Sequence, residues 1–314
     1  MRVSLIKSSS SQNEGRGIGF YTQNLIDNLS KISTLELTGE NPDIIHYLFF
    51  DPFFLTLPPI RNAKTVVTVF DLTPIILADL YPRGIRGEIK WQIQKRLLQN
   101  VDAIITISHS SKNDIVSQVG FPQEKVFVTY LAPDGPCRPL KIKKENFILY
   151  IGDVNANKNI SVLLKAVALV PEINLILAGR TFLDDALPEA IAIREEIKKL
   201  GIGPRVKFPG FISGEEKVKL LNKAKAYVQP SLYEGFGLPI LEAMACGTAV
   251  ICGDNSSMKE VAGDAATYAD ITDPKDLAEK IIRVKTTGKE ISQAKKFSWE
   301  KTAKQTYEVY KKLL

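Results

Sequence analysis

Two consecutive α/β domains, each a parallel sheet covered by helices, are what this sequence predicts. Three observations carry the prediction. Short apolar runs alternate with amphipathic segments along the whole chain, as expected of strands that lie under helices. The alternation begins afresh near residue 145, after PDGPCRPLKIKK (133–144), whose prolines and lysines read as an interdomain linker. A length of 314 residues suits two domains of ordinary size.

In the first half, apolar runs place strands at 3–6, 44–48, 65–70, 103–107 and 126–129. Helical periodicity covers 18–29, 85–99 and 111–119. In the second half, strands are expected at 147–151, 175–178, 206–208, 226–228 and 248–252. Helices are expected at 160–170, near 190–200, from Pro239 and at 273–284, the last with Pro274 near its start. Asn159 is placed to cap the helix beginning near Ile160. The terminal stretch FSWEKTAKQTYEVYKKLL (297–314) puts Trp299, Ala303, Tyr307 and Tyr310 on one helical face. In YPRGIRGEIKWQIQKRLL (81–98), Ile85, Ile89, Ile93 and Leu97 recur every four residues among Arg83, Arg86, Lys90, Lys95 and Arg96. That segment reads as a helix packed on the first sheet, the second reading being a helix that contacts a membrane.

Composition narrows the function classes. Of 41 basic and 35 acidic residues, 1–140 hold 14 and 13, leaving 27 and 22 for the rest. A net charge of +6 spread this way is too diffuse for a nucleic-acid footprint, and it suits a phosphate-bearing substrate or an anionic surface. No run approaches 18 apolar residues, and MRVSLIKSSS lacks the apolar core of a signal peptide, so a cytoplasmic protein is expected. Cys137, Cys246 and Cys252 form no disulfide framework and are expected as buried thiols. Together with His46 and His109 they have no zinc-site spacing.

The most informative stretch is PSLYEGFGLPILEAMACGTAVI (230–251). Glu234 and Glu242 stand eight apart around a Gly-Phe-Gly-Leu-Pro turn. Pro239 suits the first position of a helix, Leu238 before it is pushed toward an extended conformation, and Gly247 supplies the stop. Glu234 then sits on a loop facing a helix N-terminus, with Glu242 one turn inside the helix. Free amides at such a terminus favour an anion, and the glycines allow close approach. Amides for phosphates and carboxylates for hydroxyls suit a sugar nucleotide. The bland alternative is a glycine turn with one surface and one capping glutamate.

The run resembles the signature of the retaining glycosyltransferases of family 4, whose two glutamates are separated by seven residues. The resemblance covers nearly the whole chain and implies a GT-B fold: two Rossmann-like domains facing a central cleft, 1–140 on the acceptor side and 145–296 binding the nucleotide sugar. The helix at 297–314 would pack back on the first domain. It implies a nucleoside-diphosphate-sugar donor, GDP-mannose-like or a UDP-sugar, with no cofactor and no metal, and a glycan or lipid-linked acceptor. Glu242 would bind the ribose, and Lys158 with the amides of Gly235, Phe236, Gly237 and Leu238 the diphosphate. Glu234 would contact the sugar. Lys158 lies in YIGDVNANKNISVLLKAV (150–167), similar to the family's second phosphate motif. Asp153 there replaces the arginine common in the family, leaving Arg180 as a substitute cation. GRGIGFYTQNL (15–25) resembles the family's glycine-rich loop, with Gly17 and Gly19 near the phosphates or the acceptor. TVVTVFDLTPIILADLYP keeps an aspartate, Asp71, where Phe70 replaces the family's histidine; Asp71 is an acceptor contact, a base or a loop cap. TISHSSKNDI brings His109 toward the donor sugar, and VKFPGFIS places Gly210 and Phe211 near the base. The alternatives are a sugar-nucleotide epimerase on the same fold and a non-catalytic GT-B partner subunit. Peripheral contact through 83–98 would hold the protein at the inner face of a membrane.

Overall fold

The computed structural model describes residues 1–7, 17–59, 61–133 and 135–314. They divide into two compact units, Met1–Ala132 with Phe297–Leu314, and Pro133–Lys296.

The first unit holds β1 (Arg2–Ile6), α1 (Gly17–Leu29), β2 (Glu36–Leu37), β3 (Ile44–Tyr47), β4 (Lys64–Thr68), α2 (Thr73–Ile76), α3 (Gly84–Gln99), β5 (Ala103–Thr106), α4 (His109–Val119) and β6 (Val126–Val128). Its strands form one parallel sheet in the order β2-β1-β3-β4-β5-β6. The order reverses direction between β1 and β3, the switch point of a flavodoxin-like sheet. β4 from Thr65 on and all of β5 are buried because helices cover both faces of a parallel sheet.

Two features of this unit correct the sequence reading. Gly17 and Gly19 lie in the first turn of α1, not in a loop; the buried stripe of Tyr21, Leu25 and Leu29 extends the helix back to them. A Cβ at Gly17 would meet open space, so no close approach demands glycine there. Gly15 falls outside the described residues. In α3 the side that packs inward carries Trp91, Gln94 and Leu98, while Ile85, Ile89 and Ile93 are exposed. Trp91 and Leu98 join Val67, Ile104 and Ile115 in the core, and these larger anchors decide the helix's rotation.

The second unit holds β7 (Phe147–Ile151), α5 (Ile160–Ala168), β8 (Asn174–Ala178), α6 (Pro188–Lys199), β9 (Val206–Gly210), α7 (Gly214–Lys223), β10 (Ala226–Gln229), α8 (Leu238–Ala245), β11 (Ala249–Cys252), α9 (Met258–Ala262), β12 (Thr267–Tyr268), α10 (Pro274–Arg283) and α11 (Glu290–Ala294). Its parallel sheet runs β12-β11-β10-β7-β8-β9. Counted within the unit, this is the doubly wound order, and its switch point lies between β7 and β10. The sequence reading omitted the two-residue strands β2 and β12 and the helices α2, α7, α9 and α11. The stretch 133–144 groups with this unit: Asn222, buried on α7, accepts from the Leu140 amide at 2.7 Å and donates to the Arg138 carbonyl at 3.0 Å.

The last helix, α12 (Trp299–Leu313), belongs to the first unit and packs along α1. Its buried stripe is Thr302, Ala303, Thr306, Val309 and Tyr310; Trp299 and Tyr307 are half-buried at its edge. The Tyr310 hydroxyl meets His46 Nδ1 at 2.6 Å, and His46 Nε2 meets Thr68 Oγ1 at 2.8 Å. Burial pushes His46 down to about 3, so the imidazole is neutral.

Candidate functional site

The switch point of the second sheet holds an ion pair made from two of its loops. The loop after β7 delivers Lys158 and the loop after β10 delivers Glu234, and the two meet across the switch point. Lys158 Nζ donates to Glu234 Oε1 at 2.8 Å and to Oε2 at 2.9 Å. Glu234 Oε1 also accepts from Gln229 Nε2 and from Ser231 Oγ, each at 2.6 Å. Gln229 is held in turn by the Tyr227 hydroxyl, which donates to its Oε1. Tyr227 is buried, and burial raises its hydroxyl well above the usual range, so it stays a donor.

The backbone of the same loop is equally determined. The Glu234 amide donates to Ser256 Oγ at 3.0 Å, and Ser257 Oγ donates to the Glu234 carbonyl at 2.8 Å. Asn157 holds the two residues before Glu234, accepting at its backbone carbonyl from the Leu232 amide at 2.8 Å and donating from Nδ2 to the Tyr233 carbonyl at 2.9 Å. Ser256 takes a left-handed φ of 49° to reach the loop, a conformation disfavoured for a residue with a Cβ. With this support Glu234 is only 8% exposed, yet each carboxylate oxygen is satisfied.

Gly237, at φ 87°, turns the chain into α8, whose first helical residue is Leu238 with Pro239 second. The helix therefore begins one residue earlier than expected from Pro239, despite the restraint that proline places on Leu238. Of the first amides of α8, Pro239 contributes none and the Ile240 amide donates to the Gly237 carbonyl at 2.9 Å, so the positive end of the helix dipole at Leu238 is what the turn presents. Gly235 and Phe236 are buried within the turn. One turn into α8, Glu242 is 3% exposed and paired with Lys217 of α7 at 2.5 Å. A capping box between Ser213 and Glu216 starts α7 and sets Lys217 on its inner side.

The remaining candidates are placed as follows. Asn159 occupies the N-cap position of α5 but caps nothing with its side chain. Its backbone is left-handed, φ 52°, and its Nδ2 instead donates to the Ile271 carbonyl at 2.7 Å. Asp153 accepts from Thr181 Oγ1 at 3.3 Å. Arg180 is exposed after β8, its guanidinium 5.2 Å from the exposed Phe211 ring beyond β9. Gly210 ends β9 with φ 73°. Gly179 accompanies it for a steric reason: a Cβ there would stand 2.0 Å from the Gly152 carbonyl oxygen. Cys246 and Cys252 are buried, whereas Cys137 is half-buried, its free thiol hydrogen-bonded to that of Cys246.

Asp71 and His109 belong to the first unit, at the carboxyl ends of β4 and β5. Asp71 Oδ1 accepts from the Thr73 amide at 2.9 Å, the loop-cap arrangement. His109 opens α4 on the exposed side, its ring edge-on to Tyr130 at 6.2 Å. Ser108, not His109, caps the helix. Among the described residues no cluster of three or more His, Cys, Asp or Glu could hold a metal ion.

The structure thus brings together Lys158, Glu234, Glu242 and the start of α8. It adds Gln229, Ser231, Asn157, Lys217, Ser256 and Ser257, which sequence reasoning missed. One signal was available: Gln229 is the polar end of an otherwise apolar buried strand, AYVQ.

Residues 138–312 match the family model described as glycosyl transferases group 1, and residues 18–134 match that of glycosyltransferase family 4. The O-antigen chain mannosyltransferase B of Escherichia coli is 32% identical over 300 residues, covering 86% of this chain and 76% of that protein. The serotype-specific mannosyltransferase WbdA of the same species is 27% identical over 313 residues, 87% of this chain but 37% of that much longer protein. Among solved structures, the sucrose-phosphate synthase of Thermosynechococcus elongatus superposes with a TM-score of 0.77 at 20% identity, covering 100% of this chain and 99% of that one, a likeness of fold alone. The chain belongs to the glycosyl transferases group 1 family, and it is a glycosyltransferase of the GT-B fold.

Proposed function

We propose that this glycosyltransferase moves a mannosyl unit from a nucleoside-diphosphate sugar to a glycan or lipid-linked glycan, retaining the anomeric configuration. Similarity to mannosyltransferases supports mannose as the sugar, and a GDP-mannose-like donor is proposed over a UDP-sugar on that ground. The observation that carries the reading is the buried Lys158–Glu234 pair at the switch point, beside the start of α8 and one turn from Glu242. Open α/β sheets bind nucleotides at that place.

In this reading the ribose hydroxyls bond to Glu242, held in position by Lys217. The diphosphate lies at the positive end of α8, by Leu238, and Lys158 turns from Glu234 toward it. As the bond from the anomeric carbon to the diphosphate oxygen breaks, its electron pair stays on the diphosphate. The helix end and Lys158 stabilise that charge. The acceptor hydroxyl forms the new bond to the anomeric carbon on the face that the diphosphate leaves, and its proton passes to the departing diphosphate oxygen. Glu234 orients the sugar through its hydroxyls. Asp71 and His109, on the other unit, are assigned to acceptor and donor-sugar contacts. Arg180, Gly210 and Phe211 are assigned to the base side of the nucleotide, and Gly17 and Gly19 to the acceptor side. No cofactor or metal takes part, and the chain works at the inner face of a membrane.

The test is product analysis with GDP-mannose and a mannose-terminated acceptor. An α-linked product from the α-configured donor supports the reading. Release of an inverted product, or conversion of the nucleotide sugar without any acceptor, contradicts it.

A further inference from the structure

The unit that does not carry the Lys158–Glu234 pair presents a second surface whose burial pattern is inverted. Along α3, Ile85 is 82% exposed, and Ile89 and Ile93 follow at one-turn intervals, also exposed. Beside them the loop after β3 turns Phe54 and Leu55 outward, 65% and 66% exposed. This loop is firmly anchored. Phe50 and Leu57 on either side of the tip are buried in the core that holds Trp91. The buried Gln94 of α3 sets Nε2 within hydrogen-bond reach of the carbonyls of Asp51 and Phe54 and of Thr56 Oγ1. Lys90 Nζ stands 5.3 Å from the Phe54 ring centroid, which joins the loop tip and the helix face into one patch.

Single exposed apolar residues are ordinary, but five large ones on two adjoining elements are not. Charge decides what covers them. Arg86, Lys90 and Arg96 are exposed around the stripe, and residues 83–98 carry five basic side chains against one acid, Glu88, already paired with Arg83. Apolar side chains at the centre with cations at the rim fit the interface of a bilayer, where aliphatics enter below the headgroups and cations meet lipid phosphates. Among the described residues no helix is long and apolar enough to cross a membrane, so this contact lies on the surface.

We infer that α3 and the 51–56 loop form a docking surface for an anionic lipid bilayer, with Phe54, Leu55, Ile85, Ile89 and Ile93 inserting. The inference rests on the lipid-linked acceptor proposed above and names the surface that would meet it.

The full chain should co-sediment with vesicles of mixed phosphatidylglycerol and phosphatidylcholine at low salt and much less with phosphatidylcholine alone. Rising salt should release it. Replacing Arg86, Lys90 and Lys95 with glutamine should weaken binding roughly a hundredfold, at about fivefold for each cation near the surface. Phe54→Ser with Ile89→Ser should weaken binding at every salt concentration, and both variants should keep the parent's near-ultraviolet circular dichroism. Absence of binding to anionic vesicles at low salt overturns the inference, as does parent-like binding by both variants. A concentration-dependent dimer in the ultracentrifuge that Ile85→Ser with Ile89→Ser dissociates also overturns it, by assigning the patch to a second copy. Thermal shift with GDP in the absence of vesicles keeps the two readings apart. Stabilisation by GDP without vesicle binding sinks only the docking surface. Vesicle binding without stabilisation by any nucleoside diphosphate sinks the donor assignment instead.

Discussion

The two units break the ordinary rule of burial in opposite directions. In the second, Glu234 and Glu242 are 8% and 3% exposed, each holding a lysine. In the first, isoleucines and a phenylalanine stand in solvent beside a helix whose inner face buries Trp91. A buried carboxylate is tolerated only when paired and hydrogen-bonded; here Gln229 and Ser231 bond to the Glu234 carboxylate, and Ser256 and Ser257 hold its backbone. An exposed aliphatic stripe carries no such penalty within the monomer; what it costs is solubility, until something covers it. Places where local rules fail are where function is expected. The difference separates the two kinds of binding: fixed charge for a small anionic ligand, loose apolar contact for an extended surface.

The sharpest way to break the comparison is to uncouple the buried pair. Lys158→Ala leaves Glu234 buried without its cation, a loss of about 3–5 kcal/mol for a broken buried pair. Turnover should fall by roughly a hundredfold or more, and the melting temperature should fall with it. Glu234→Gln alone should be milder for stability. The double variant should lose much less than the sum of the two, because the second change removes the charge that the first left stranded. Additive losses in a double-mutant cycle would mean that the pair in the structure does not operate in solution.

A smaller effect separates paired from unpaired burial. The first unit buries His46 against two hydroxyls and no counter-charge, with its titration pushed down to about 3 from an ordinary value near 6.5. Between those values the unfolded chain takes up the proton and the folded chain does not, so stability present above about pH 6.5 is lost as the pH falls toward 3. Denaturant unfolding across that range should show His46→Gln with a shallower pH slope than the parent, by up to one proton. Equal slopes would show that His46 is not held neutral. The smallest effect expected is that of chelation. EDTA should leave turnover nearly unchanged, as positive potential comes from Lys158 and the start of α8; loss restored by magnesium or manganese would recast Asp153 as a metal ligand.

Much of this was legible in the sequence, for reasons that differ by residue. The strands and the helix at Leu238–Ala245 follow from local chemistry, in that β-branched runs, Pro239 and Gly247 act within a few residues of themselves. The glutamate spacing is likewise a local pattern. The pairing of Lys158 with Glu234 is not, since 76 residues separate them and only the strand order brings the two loops together. The rotation of α3 was read wrongly because a four-residue repeat of isoleucines says which residues share a face, not which way that face turns. Trp91, Gln94 and Leu98 decided it through contacts with distant segments. Asn159 failed as a cap for a similar reason, its backbone drawn into a left-handed turn and its amide to Ile271.

The central claim, that the switch point of the second unit is a nucleotide-sugar site, is tested most directly by calorimetric titration of GDP and UDP into the parent chain and Glu242→Ala. Loss of a charged hydrogen bond costs about 1.5–3 kcal/mol, so the variant should bind roughly ten- to a hundredfold more weakly while the parent binds one equivalent. Binding of neither nucleotide by the parent, or equal affinity in parent and variant, would contradict the claim.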